Sequence, residues 1–537
     1  MTDRSDTVVP GTGRDGAGNA PNAASAGNAG SAASAGVPRQ DRVPVACAGR
    51  AVQAAAGALR RHRLFAALLA AGLLLRLLAQ VGYQPALLFI DSKKYLLGTD
   101  ATATPWGSFD PIGYTLLLLR PVLAFANLGV VALLQHALGL AMAAALYLLM
   151  LRHGVARWLA ALAAAPVLLD AYQVQAEQTI MPDVLFEALV VAGIVLLLWR
   201  PGPGLPSVIG GGLAFGASAP VRQVGEALIA PALVYVLAAT AGGRARLVRG
   251  AVLAGCFALP VLGYMGYAQV ALHDGFKMSD MGDAYLYGRT AHAADCAALR
   301  IPADERPLCP SPRVAAALGV DGLVYWPGRL TRSTALQRRL AYAVLEQQPL
   351  RVAGDIAGDA VKIFALTRDT AEGDTPVSRW QFQLGYPYYP PGITRRGPDS
   401  ADSLLRRAGG GRARVWRPAA ALLRGYQLHG GYTPGPVFLA ALLAGVAGIV
   451  TARSCRARRD QALACLLVTG AAVAVLLGAD LYEFSWRYQL PALVTLPVAG
   501  AVGATALAGR LRRHRGRDLA AAGRGGELAA AGSGLVP

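Results

Sequence analysis

The sequence predicts an all-α polytopic membrane protein with about ten transmembrane helices and an extracytoplasmic mixed loop domain. Three observations carry that expectation. Of 537 residues, 54% are hydrophobic and only 15% charged, too apolar a balance for soluble domains. Apolar runs near the length needed to cross a bilayer recur along the chain. The arginines fall between those runs in an alternating pattern.

The first 48 residues are dominated by Ala, Gly, Ser, Asn and Asp without periodicity. Such a stretch buries too little apolar surface to offset its ordering entropy and is expected to be a disordered cytoplasmic tail. No charged segment precedes an apolar one near Met1, so residues 64 to 81 read as an uncleaved signal anchor. Arg60-Arg61-His62-Arg63 before it holds the N-terminus in the cytoplasm. Spans are expected at about 64–81, 128–151, 155–170, 180–199, 206–221, 226–241, 248–270, 434–451, 461–479 and 488–509. These divide the chain into a transmembrane core, 64–270, with a first outer loop at 82–127, an extracytoplasmic segment, 271–433, and C-terminal helices, 434–509. A basic cytoplasmic tail, 510–537, ends it.

Every expected inner loop is basic: Arg152 and Arg157, then Arg200, then Arg244, Arg246 and Arg249, then Arg453, Arg456, Arg458 and Arg459, then the tail from Arg510. Outer turns such as 173–178 and 480–483 are neutral or acidic. The positive-inside bias therefore puts both termini in the cytoplasm of a multi-pass cell-membrane protein. It also accounts for the net charge of +19 without nucleic acid as a partner.

The outer segment contains Cys296 and Cys309 in a Pro-rich stretch. A disulfide is expected, because that compartment is oxidising and a short loop is easily closed; two free thiols are the alternative. Cys256 and Cys465 in spans, and Cys47 and Cys455 on the reducing side, are expected to be free thiols. Two cysteines without a nearby His pair make no zinc site.

Polar residues concentrate at the expected outer boundary: Phe89-Ile90-Asp91-Ser92-Lys93-Lys94-Tyr95 and Ser108-Phe109-Asp110-Pro111-Ile112-Gly113-Tyr114 after the first span. Ionisable groups placed there stay charged and within reach of lipid headgroups. Gln178-Thr179-Ile180-Met181-Pro182-Asp183 leads into a later span, Pro220-Val221-Arg222-Gln223 brings an outer Arg, and Trp486-Arg487-Tyr488-Gln489-Leu490-Pro491 opens the last span. In this order, over roughly 64 to 500, the chain resembles the GT-C superfamily of polyprenyl-phosphate-sugar-dependent membrane glycosyltransferases. The likeness is to bacterial members related to the protein mannosyltransferases and the aminoarabinose transferases of lipid A. Tyr285-Leu286-Tyr287-Gly288-Arg289 before the cysteines looks like actinobacterial glycosyltransferases of unassigned substrate. The resemblance implies a polyprenyl-phosphate-linked sugar as donor, a membrane lipid that carries it, and an extracytoplasmic acceptor that is a cell-envelope glycan, lipid or protein.

Sugar transfer from a lipid phosphate needs a base for the acceptor hydroxyl and cations for the leaving phosphate. The resemblance assigns the base to the first-loop acid, Asp91, whose alternatives are an N-cap or a partner for Lys93 or Lys94. Asp110, before a proline, and Asp183, at an expected helix start, are further catalytic candidates whose alternatives are turn and cap roles. Arg222 and Arg487 sit against the positive-inside trend and offer phosphate a bidentate fork. Otherwise they are interfacial anchors paired with Glu226 or Glu483. Arg487 matches the family's basic residue for the lipid phosphate. Lys277 and Arg289 are further phosphate candidates. Tyr95, Tyr114, Trp380 and Tyr388 are candidates for stacking on a sugar or acceptor, against membership of an interfacial aromatic belt.

The protein mannosyltransferases carry an adjacent acidic pair where Asp91 is followed by Ser92 and Lys93. That departure leaves a divalent cation and a protein acceptor open, and no other cofactor is implied. A transporter or lipid flippase would instead place ionisable residues midway through helices in two related halves. A non-catalytic envelope assembly protein would account for the long outer segment but not for the ordered acids and arginines.

Overall fold

A computed structural model describes residues 57, 60–97, 110–273, 275–326, 334–389, 393–398, 400–450 and 456–510. The expected tails, Cys47, Cys455, Arg453 and residues 98–109 of the first outer loop lie outside the described residues. The chain divides into Met1–Ala58, of which Gly57 alone is described, and Leu59–Pro537, to which everything below belongs.

Among the described residues, five helices are long and apolar enough to cross a membrane: Arg63–Gly82, Leu128–Arg152, Gly243–Leu272, Arg459–Asp480 and Pro491–Arg510. The pair Arg157–Leu169 and Ala171–Gln178, bent by 47°, makes a sixth if it is one span. Expected spans 64–81, 128–151, 248–270, 461–479 and 488–509 fall on the five. The remaining expected spans fall on the bent pair and on the shorter helices Asp183–Leu198, Leu205–Val221, Gln223–Ala239 and Gly435–Val450. A helix of 16 residues rises only about 24 Å, short of a hydrocarbon core of about 30 Å. The stretch 173–178, expected as an outer turn, is instead helical and buried throughout.

The bend at Asp170 shows how a helix breaks among apolar neighbours without stranding its backbone. The N–H of Ala171 donates to the Gly431 carbonyl at 2.7 Å, and that of Tyr172 to the Asp170 carboxylate at 3.0 Å. On the other side of the break, the carbonyls of Val167 and Leu168 accept from the Arg76 guanidinium at 3.0 and 2.8 Å, and that of Leu169 from the Tyr426 hydroxyl at 2.7 Å. These groups freed by the bend all have partners, as a low-dielectric setting demands. Arg76 also donates to Glu177 at 2.7 Å, and Glu177 in turn bonds His136 at 2.9 Å.

Small residues set one of the close helix contacts. A Cβ on Gly216 would lie 2.3 Å from the Phe257 carbonyl oxygen, and one on Gly212 would lie 2.9 Å from that of Leu253. Helices Leu205–Val221 and Gly243–Tyr267 therefore pack backbone to backbone there.

The segment expected as a mixed loop domain is largely helical. Helices Gly282–Ala293, Pro312–Val324, Thr334–Gln347 and Pro349–Lys362 share a core of Tyr287, Leu308, Leu323, Leu340, Val344 and Val352. Farther on, Arg414–Val415 pairs antiparallel with Tyr83–Gln84 and ties the end of the segment to the end of the first helix. Cys296 and Cys309 are joined by a disulfide, Cα to Cα 5.8 Å, and Cys309 packs against the four-helix core. Cys256 and Cys465 are free thiols. Peptide mapping without reductant is expected to recover Cys296 and Cys309 linked. Reduction should lower stability by about 2–4 kcal/mol by releasing the closed loop. Two alkylatable thiols in protein from native membranes would contradict this.

Candidate active site

Four sequence-distant segments converge on one cluster of charge. The first is positioned by backbone pairing: the Leu87 N–H donates to the Gln178 carbonyl, and the Ile180 N–H donates back to Leu87, both at 2.9 Å. Ser92 locks the register. Its hydroxyl donates to the Ile180 carbonyl and accepts from the Phe89 N–H, each at 2.8 Å. This sets Asp91, just before the short helix Ser92–Leu97, beside Asp183, the first residue of helix Asp183–Leu198. Arg222 follows the last residue of helix Leu205–Val221. The end of that helix is pinned by Gly113, where a Cβ would lie 2.4 Å from the Pro220 carbonyl oxygen. Arg487 comes from the connection between Asp480 and Pro491.

Arg487 is the hub. Its Nε donates to both Asp183 oxygens, at 3.1 and 3.2 Å, and its Nη1 donates to Asp91 Oδ2 at 3.1 Å. Arg222 closes the group through Nη1 to Asp183 Oδ1. Rings flank the guanidiniums: Arg222 lies 4.6 Å and Arg487 5.0 Å from the Tyr488 centroid, and Arg487 also lies 5.1 Å from that of Trp380. Lys94 approaches Asp91 Oδ1 at 3.7 Å and donates to Asp110 Oδ2.

Exposure separates the three aspartates. The Asp183 side chain is 3% exposed, whereas Asp91 is 29% and Asp110 32% exposed. Asp183 holds two arginines from inside the protein, and Asp91 keeps an edge that an incoming group can reach. Burial by itself would raise the Asp91 carboxyl, but the charge of Lys94 and then that of Arg487 outweigh it, so it titrates below the usual carboxylate range. Burial, followed by the nearby Asp321 charge, pushes Glu483 well above its usual range. The acid partner of both arginines is Asp183, not Glu483 or Glu226 as the sequence offered.

The remaining candidates are placed as follows. Lys277 is exposed and paired with Asp280. Arg289 is 2% exposed, with Nη1 on Asp355 and Nη2 on Asp359 and on the Asp480 carbonyl, each at 2.6 Å. Its fork is spent on the protein itself, tying helices Gly282–Ala293 and Pro349–Lys362 to the end of Arg456–Asp480. Tyr95 and Tyr114 pack edge to face at 5.4 Å, both buried, with the Tyr114 hydroxyl donating to Gln135 at 2.7 Å. Trp380 is buried between Phe89 and Arg487. These three rings wall the site and offer no free face to a sugar, whereas Tyr388 is exposed and borders a groove described below. Among the described residues, no group of three or more His, Cys, Asp or Glu side chains is placed to hold a metal ion.

Sequence reasoning offered Lys94 as a partner of Asp91 but missed its bond to Asp110, and it missed Tyr488 altogether. Both stand beside residues it chose: Lys94 one helical turn after Asp91, and Tyr488 directly after Arg487.

No protein-family model and no curated protein matches the chain. One solved structure matches: the archaeal oligosaccharyltransferase AglB from Archaeoglobus fulgidus, in complex with an inhibitory peptide and a dolichol-phosphate. Identity is 13%, coverage 84% of this chain and 52% of that one, and the TM-score 0.36. The chain thus spans about half the length of that protein, and at this TM-score the likeness bears on neither activity nor site.

Proposed function

We propose that the chain is an integral-membrane glycosyltransferase of the GT-C kind, moving a sugar from a polyprenyl-phosphate donor to an extracytoplasmic acceptor. The observation that supports this best is the Arg487–Arg222 pair, held by buried Asp183 next to the partly exposed carboxylate of Asp91. In this reading Asp91 takes the proton of the acceptor hydroxyl as that oxygen bonds to the anomeric carbon. The bond from that carbon to the phosphate oxygen breaks, and Arg487 and Arg222 receive the charge left on the lipid phosphate. Asp110 sets Lys94 and does not react. The site would open on the outer face, with both termini in the cytoplasm, the shorter apolar helices completing about ten crossings, and the disulfide in the oxidising compartment.

Turnover of a polyprenyl-phosphate sugar by protein reconstituted in liposomes tests the reading, and its pH dependence tests the base. Asp91 titrates below its ordinary value in the free protein, so its base form persists until the pH falls through that depressed value. Any stability it contributes is likewise present above the unfolded value, near 3.9, and is lost only below it. A phosphate on Arg487 competes for one of the three cations that depress Asp91, Lys94, Arg487 and Arg222, so the carboxyl should titrate higher in the donor complex. The expected result is an acid limb in kcat at higher pH than the one in kcat/KM. Coincident limbs would remove Asp91 as the base.

One observation favours a transporter instead: Arg76, His136 and Glu177 are ionisable groups buried among helices. Their bonds are largely to one another and to the backbone freed at the bend, which is a structural use. Solute movement in the same liposomes without sugar transfer would reverse that judgement.

A further inference from the structure

Beside the charge cluster lies a groove of about 700 Å³ that the reaction above does not use. Its walls include Arg379, Gln383, Tyr386, Tyr388, Tyr389 and Arg424, and among the described residues no Asp or Glu lines it. The volume lies in the range of cavities that take small organic ligands. All of these side chains but Arg379 are anchored: Tyr389 donates to the Arg379 carbonyl at 3.0 Å, Gln383 donates to the Ser378 carbonyl at 3.0 Å, and the Tyr388 hydroxyl accepts from Arg395, whose guanidinium lies 4.1 Å from the Tyr388 ring centroid. Arg424 donates to the Phe382 carbonyl at 2.6 Å, and the Tyr386 hydroxyl donates to that of Ala86 at 2.8 Å. The Arg379 guanidinium has no hydrogen bond or ion pair among the described residues, although the half-buried Asp321 carboxyl feels both Asp91 and Arg379.

The groove adjoins the site through shared rings. Phe89, two residues before Asp91, packs at 4.2 Å on Trp380 and at 5.0 Å on Tyr389, and Trp380 in turn lies under Arg487. One face of this aromatic wall therefore meets the proposed phosphate clamp and the other meets the groove.

We infer that this groove binds an anionic saccharide, with its carboxylate or phosphate on Arg379 and sugar rings against Tyr389 and the face of Tyr388 opposite Arg395, as the acceptor of the transfer. Tyrosine faces suit the apolar faces of sugar rings, and a guanidinium without a partner suits an oxyanion, which it can take bidentately. A neutral sugar would leave that charge unused, and a lipid phosphate alone would leave the tyrosine faces unused. Calling the ligand the acceptor rests on the glycosyltransferase reading; the binding itself does not.

The test is equilibrium binding to the purified full-length protein, without donor, of cellobiouronic acid and of cellobiose, which differ in one carboxylate. Inorganic phosphate and polyprenyl phosphate serve as further probes. The expected result is saturable binding of the uronate at least about tenfold tighter than of cellobiose, a preference abolished in Arg379→Gln and weakened for both sugars in Tyr388→Ala. Polyprenyl phosphate should bind Arg379→Gln as it binds the parent chain. Equal affinity for the two disaccharides, binding of neither, or displacement of the uronate by polyprenyl phosphate alone would overturn the inference. Competition by inorganic phosphate at the affinity of the uronate would show an anion site without a saccharide site and would overturn it too. If the uronate binds as expected but no sugar is transferred from any lipid donor, the proposed activity fails while the groove stands.

Discussion

Asp91→Asn is expected to fold, to bind donor lipid and to transfer sugar about 10²- to 10⁴-fold more slowly than the parent chain. The substitution keeps the shape and one acceptor oxygen, so Arg487 retains Asp183 and a neutral partner, and Lys94 retains Asp110. The loss of one charge-assisted hydrogen bond at a partly exposed position should cost only about 1–3 kcal/mol of stability. A structural role would therefore leave turnover near normal, and a base role would not. Single-turnover transfer, with thermal unfolding and donor binding measured on the same preparation, distinguishes the two. If Asp91→Asn turns over normally, Asp110 is the next candidate because it too is reachable; Asp183, at 3% exposure, is not. Normal turnover in both Asn variants would sink the proposed mechanism.

Arg487→Ala should have the other large effect, on donor affinity and on stability together. Arg487 bonds two aspartates contributed by segments far from it in sequence, and Asp183 has almost no access to water. Removing one partner of a buried ion pair typically costs about 3–5 kcal/mol, and the low end is expected here because Arg222 still holds Asp183. Arg487→Lys isolates the geometric part. A single ammonium cannot repeat the reach of Nε to Asp183 and Nη1 to Asp91, so donor affinity should fall roughly tenfold or more with charge preserved. Unchanged affinity for a polyprenyl-phosphate sugar in folded Arg487→Ala would remove the residue from the site and weaken the family reading with it.

Much of this cluster could be chosen from the sequence because its members break a local rule. Arg222 and Arg487 are charges where apolar runs and the positive-inside bias leave little reason for them, and Asp91 and Asp183 stand at the edges of apolar segments. Arg289 was a further phosphate candidate, in the long outer segment, yet its guanidinium is consumed by Asp355, Asp359 and a backbone carbonyl. The chain around Arg289 does not announce those partners, the nearer two of which are 66 and 70 positions away. Three of the four aromatic candidates, Tyr95, Tyr114 and Trp380, are buried for a similar reason: ring type was legible, but whether a face is free depends on what surrounds it, as Gln135 and Tyr95 do Tyr114.

What the sequence determined by itself was the class of the fold and the bounds of its longest apolar helices, because bilayer crossing imposes length and composition on one contiguous segment at a time. It also determined the cysteine pair, 13 positions apart, where loop closure is a local matter. The tertiary structure alone decided that Asp183 is the buried partner of both arginines, that Asp91 bonds Arg487 and is still reachable, and that 173–178 is an interior helix. Each of these depends on which surfaces meet. The energy of a charge is set by the burial and the countercharges that distant segments bring to it, quantities that no stretch of chain carries on its own.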